Sequence, residues 1–82
     1  MHAAEGGHTA REIGTIVARE RNRLGLRQDE LAFTAGVSTR VVHQIEHGKE
    51  TSRLDSVVAV LTALGLTLGV VPSSSHPEDD TA

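Results

Sequence analysis

Eighty-two residues make one domain the natural reading, and with no cysteine the chain has neither a disulfide framework nor a thiolate zinc site. One Phe and no Trp or Tyr leave no aromatic platform on which single-stranded nucleic acid would stack. The net charge is -3, no apolar run approaches the ~18–20 residues of a membrane span, and no basic stretch followed by an apolar core opens the sequence. The expectation is a cytoplasmic protein with no membrane partner.

Met1 to His8 is small, Gly-containing and without periodicity, which predicts a disordered amino terminus over 1–8. The ordered domain is expected over 9–71. Thr9-Ala-Arg-Glu12 matches a capping box, in which a hydroxyl and a carboxylate satisfy orphan amides at a helix start. Ile13, Val17 and Leu24 supply one apolar face, closed by Gly25 and Leu26, so a first helix runs from about Ala10 to Arg23.

A second helix covers roughly Gln28 to Ala35, with Ala32 small enough to let a neighbouring helix approach. Gly36 breaks it where a tight turn needs a positive φ. Val37 plugs the turn, and Ser38 is a good N-cap for a third helix from about Thr39 to His47. Val41, Val42 and Ile45 give this third helix an inward face. Thr39, Arg40, His43 and Gln44 occupy the other face, and such side chains hydrogen-bond base edges or phosphates in a major groove. Arg40 suits a guanine edge or a phosphate, and Gln44 suits an adenine.

Gly48 ends the third helix, and Ser52 with Asp55 forms a second candidate capping box. Leu54, Val57, Val58, Leu61 and Leu64 mark a fourth helix, stopped by Gly65. Leu66 to Val71 alternates and closes on Pro72, which predicts a short strand. A lone apolar strand is an aggregation hazard, and about 60 ordered residues make a marginal core, so pairing with a second copy is expected. The alternative is that Leu66 to Val71 folds back over its own helices. The remainder, 72–82, is Pro/Ser-rich and acidic and is read as a disordered tail.

The distribution of charge matters more than its sum. Every Lys and Arg lies between Arg11 and Arg53, while Glu5, Glu78, Asp79 and Asp80 sit in the terminal segments. Without those four acids the middle of the chain carries eight basic and seven acidic side chains.

His43-Gln44-Ile45-Glu46-His47 also spells H-x-x-E-H, the inverted zinc-protease pattern. A peptidase of that kind needs a further ligand and a substrate cleft, which a chain of this size hardly supplies. Ser73, Ser74 and Ser75 have no oriented base beside them, and the glycines form no phosphate loop. The expectation is a protein with no enzymatic activity, no cofactor and no metal.

On the residues Ile13…Val17…Arg21, Leu24-Gly25-Leu26, Gln28-x-Glu30-Leu31-Ala32, Gly36-Val37-Ser38, Val42 and Ile45-Glu46-x-Gly48-Lys49, the chain resembles the Cro/Xre helix-turn-helix family. Arg53-Leu54-Asp55-Ser56-Val57 and Leu64-Gly65-Leu66-Thr67-Leu68 look more like its HipB-like antitoxin branch. The resemblance implies an all-α, four-helix, lambda-repressor-like domain with a short carboxy-terminal strand, carrying Leu66, Leu68 and Val70, used in dimerisation. It implies a nucleoid-associated homodimer that binds double-stranded DNA, and in the antitoxin branch a HipA-like kinase toxin as a further partner.

Residue by residue, the resemblance implies that Gln28 contacts a phosphate and orients the third helix. Ser38, Thr39, Arg40 and Gln44 match positions facing bases and adjoining phosphates, His43 lies beside them, and Lys49 matches a phosphate contact. Arg21 and Glu46 match a structural ion pair. The chain departs from the family pattern at Arg27, where Ser or Thr is usual.

Overall fold

The computed structural model describes residues 9–70 and Pro72. The segments read as disordered, 1–8 and 72–82, lie outside the described residues apart from Pro72, as does Val71. Among the described residues four helices follow one another: α1 Ala10–Arg23, α2 Gln28–Ala35, α3 Thr39–Glu46 and α4 Leu54–Ala63.

Local chemistry sets most of the boundaries. The Thr9 backbone N–H donates to Glu12 Oε1 at 2.9 Å, and Glu12 N–H donates to Thr9 Oγ1 at 3.2 Å, a complete capping box. At α2 only half of such a box forms. Glu30 Oε1 accepts from Arg27 N–H at 2.8 Å, but Arg27 has no acceptor to return the bond. The Arg27 side chain turns instead to Asp29 and Glu30.

The capping box expected at Ser52 and Asp55 does not form. Arg53 is the N-cap of α4, Ser52 Oγ donates to the Lys49 carbonyl at 3.1 Å, and Asp55 pairs with Arg53 at 2.8 Å. Ser52 stands one residue too early, and the preceding turn takes its hydroxyl.

Val17, Leu31, Ala32, Val42, Ile45, Val60, Leu61 and Leu64 form the core, each at most 6% exposed. Full burial of one such aliphatic side chain stabilises by roughly 1.5–3 kcal/mol. The core draws on all four helices, and α3 packs against each of the other three. Its inner face is thereby clamped while its outer face stays wet.

One close approach fixes α3 against α1. Gly14 is buried, and a Cβ placed there would lie 2.3 Å from the Ile45 carbonyl oxygen and 2.9 Å from that of Glu46. Only a residue without a side chain lets the two backbones meet there.

The described chain is all α-helical, and the strand expected over Leu66 to Val71 is absent from it: Leu66 to Val70 have no regular secondary structure. A strand is defined by a ladder, and a single copy offers this segment no second extended segment among the described residues. Leu66 N–H instead donates to the Leu61 carbonyl at 2.8 Å, closing α4, and its side chain packs against the core. Leu68 lines an apolar cavity of about 220 Å³ with Ile13, Ile16 and Leu61, whereas Val70 is 97% exposed. The segment thus begins by folding over its own helices and ends in solvent.

Candidate nucleic-acid interface

The α2–α3 turn depends on Gly36, whose φ of 76° carries no Cβ penalty in glycine. Its N–H and that of Val37 both donate to the Ala32 carbonyl, at 2.9 and 3.0 Å. Ser38 Oγ then accepts from Val41 N–H at 3.2 Å, starting α3. With Val42 and Ile45 buried, Thr39, Arg40 and His43 point to solvent and Gln44 is half-buried. Val41 is also half-buried and packs at the edge of the core.

Two polar clusters flank this helix. In the inner one, Arg21 Nε and Nη2 donate to Glu46 Oε2 and Oε1 at 2.6 and 2.9 Å. Arg21 Nη1 donates to the Leu26 carbonyl at 2.9 Å, and Gln28 Nε2 donates to Glu46 Oε1 at 3.0 Å. One carboxylate at the end of α3 therefore holds the end of α1 and the start of α2. The two charged side chains are 14% and 5% exposed. Burial pushes the Glu46 carboxyl up, but the hydrogen bonds from Arg21 and Gln28, with the charges of Arg21 and His47, outweigh it. The net shift is below the ordinary value of 4.5. The same pair raises Arg21.

In the outer cluster, one terminal atom of the Gln44 amide faces Arg40 Nε at 3.2 Å and Lys49 Nζ at 3.3 Å. That atom is the oxygen, because the nitrogen would set three donors against one another. Lys49 is held beside it by its own N–H, which donates to the Gln44 carbonyl at 3.0 Å. Neither Arg40 nor Lys49 has a carboxylate partner among the described residues, whereas Arg23, Arg27 and Arg53 pair with Glu20, Asp29 and Asp55.

The sequence-predicted residues thus divide. Ser38, Thr39, Arg40, His43, Gln44 and Lys49 lie on or beside the outer face of α3. Gln28 is turned towards Glu46 and has one amide proton left for another acceptor. The H-x-x-E-H pattern does not assemble a metal site. Glu46 points to Arg21, and the His47 ring stacks on His43 with centroids 4.0 Å apart while its Nδ1 meets the His43 carbonyl at 2.8 Å. Among the described residues no group of three or more His, Asp or Glu could hold an ion.

Sequence reasoning missed Gly14 and the Gln28–Glu46 bond. The one available signal for Gly14 was a glycine inside an otherwise regular helix. Nothing local pointed to Gln28 and Glu46, which are 18 positions apart.

Two short helices joined by a glycine turn, the second buried on one side and polar on the other, define a helix-turn-helix protein. The helix-turn-helix family model HTH_3, of Cro/Xre type, matches residues 17–71, and the chain belongs to that family. It is 40% identical over 63 residues to the uncharacterized HTH-type transcriptional regulator y4mF of Sinorhizobium fredii, an alignment covering 77% of this chain and 83% of that protein. An uncharacterized HTH-type transcriptional regulator of Haemophilus influenzae is 35% identical over 52 residues, which is 63% of this chain and 53% of that one. Among solved structures, the "Toxin-Antitoxin module from Streptococcus pneumoniae" is similar, with 42% identity and a TM-score of 0.65. That match covers 73% of this chain and 66% of the other. No helix of the described residues is long and apolar enough to cross a membrane.

Proposed function

We propose that the protein is a sequence-specific double-stranded DNA-binding regulator, a repressor acting as a homodimer on inverted-repeat operators. The observation that carries this reading is the outer face of α3. It sets Arg40 and Lys49, both without a carboxylate partner among the described residues, beside Thr39, His43 and Gln44 on a helix whose other side is locked in the core. In this reading α3 enters the major groove, Arg40 and Gln44 face bases, and Thr39 and His43 lie at the groove wall. Ser38, Gln28 and Lys49 meet phosphates. Counterion release by the cations supplies affinity, and the base-facing side chains supply selectivity.

Dimerisation would use Leu66, Leu68 and Val70. Support comes from apolar side chains left in solvent along α4 and the segment after it: Leu54 at 68%, Val58 at 40%, Leu68 at 41% and Val70 at 97%. Leu54, Val57 and Leu68 line one shared cavity of about 210 Å³. Pairing Leu66 to Val70 with its symmetry mate would give that segment the ladder a single copy lacks.

A second reading is favoured by the similarity to a structure titled a toxin–antitoxin module. In it the same dimer is a HipB-like antitoxin that restrains a HipA-like kinase toxin and autoregulates its operon. Both readings place the protein in the cytoplasm on the nucleoid.

Selection of bound duplexes from a random pool by the purified protein tests the first reading. The expected product is a palindrome with half-sites about 34 Å apart. A pool left without enrichment rejects it. Co-purification with a kinase encoded by a neighbouring gene would establish the second reading, and failure of such a pair to associate would remove it.

A further inference from the structure

Gln44 and Arg40 together present only hydrogen-bond donors to a ligand, and we infer that the outer face of α3 reads guanine, with Gln44 acting as the positioning residue for Arg40 rather than as an adenine reader. The inference rests on the DNA-binding role proposed above and names the base edge that role requires. The Gln44 oxygen is taken by Arg40 Nε at 3.2 Å and Lys49 Nζ at 3.3 Å. An amide reads adenine by accepting from N6 while donating to N7, so it needs a free oxygen. Here the oxygen is committed to the two cations. Arg40 keeps its two terminal nitrogens, both donors, and has no carboxylate partner among the described residues to turn them aside.

The two neighbouring donors that Arg40 keeps free select among the four base edges. Guanine offers two adjacent acceptors, N7 and O6. Adenine sets an N6 donor beside N7, cytosine offers a donor, and thymine has a single acceptor next to a methyl group. Only guanine matches two neighbouring donors without placing donor against donor. The bond to Gln44 also removes rotamer freedom from Arg40 before binding, so less of it is lost when the guanidinium meets the base.

The test begins with duplexes from the selection described above, changed one pair at a time. Replacing the guanine that faces α3 by adenine should weaken binding by about five- to 150-fold, and 7-deazaguanine, which lacks N7, should also weaken it. Gln44→Glu keeps an oxygen against both cations. It should therefore keep the guanine preference, as a conservative replacement of a positioning residue does. Gln44→Ala should blur selectivity at the same pair as Arg40→Ala, and the double variant should be no worse than the more damaging single one.

A wild-type consensus with adenine opposite α3, or Gln44→Ala leaving the guanine preference unchanged, would overturn the inference while leaving the regulator reading standing. A pool with no enrichment would overturn both.

Discussion

The two polar clusters beside α3 use the same kind of cation to opposite ends. Arg21 is nearly buried, faces a carboxylate with both arms of its fork and spends a third donor on the Leu26 carbonyl. Arg40 is exposed and, among the described residues, meets a neutral amide oxygen and keeps its terminal nitrogens open. The first arrangement is closed on itself, and the second is satisfied only in part. A guanidinium becomes part of the scaffold when burial and a carboxylate act together, and stays available to a ligand when both are missing.

The largest effect that separates the clusters is expected from Arg21→Ala. Glu46, 5% exposed, would be left with Gln28 as its remaining direct hydrogen-bond donor, and stranding one member of a buried pair costs about 3 kcal/mol or more. A domain of about 60 ordered residues holds roughly 3–9 kcal/mol in all, so urea unfolding should show most of the stability gone.

The deficit should also depend on pH in a definite sense. In the native protein the Glu46 carboxyl is held below its ordinary value of 4.5, so its contribution is complete above that value and is lost as the pH falls through the lower, folded value. In the variant the main downward influence on Glu46 is gone and burial works unopposed by a cation fork. The gap between the two proteins should therefore be widest at neutral pH and narrow as Glu46 takes up a proton. A gap independent of pH would mean that the pair contributes by packing alone.

Gly14→Ala is the next test, because both clusters depend on where α3 ends. The added methyl would lie 2.3 Å from the Ile45 carbonyl oxygen, and only a shift of α1 or α3 could relieve it. The expected loss is about 1–3 kcal/mol, read as a lower midpoint in thermal or urea unfolding. An unchanged midpoint would show that the two helices do not touch there in solution.

This residue also marks how far the sequence could be read. Thr9, Glu12, Gly36 and Ser38 announce helix ends because capping is a conversation between residues three or four apart. The outward placement of Thr39, Arg40 and His43 follows from the spacing of Val42 and Ile45 for the same reason. The contact between Gly14 and Ile45, and the bond from Gln28 to Glu46, are set by how helices pack, and no local pattern announces them. Alternation from Leu66 to Val71 is likewise a local signal. It suggests an extended backbone but says nothing of a partner strand, and Leu66 is drawn instead towards its own core.

Lys49→Ala is expected to have the smallest effect on folding and sharpens the contrast most. Lys49 is exposed, its side-chain amine meets the Gln44 oxygen and no carboxylate among the described residues, and the backbone bond that closes α3 behind it survives the truncation. Stability should stay within about 0.5 kcal/mol of the native protein. If Lys49 meets a phosphate as proposed, affinity should fall alike for every duplex, and the slope of log affinity against log salt should drop by about one unit. A large loss of stability would mean that the outer cluster is scaffold after all, and that the division between a closed and an open guanidinium is drawn in the wrong place. An unaltered slope with unaltered stability would leave the division intact but move the phosphate contact to another cation, of which Arg40, on the same amide oxygen, is the nearest.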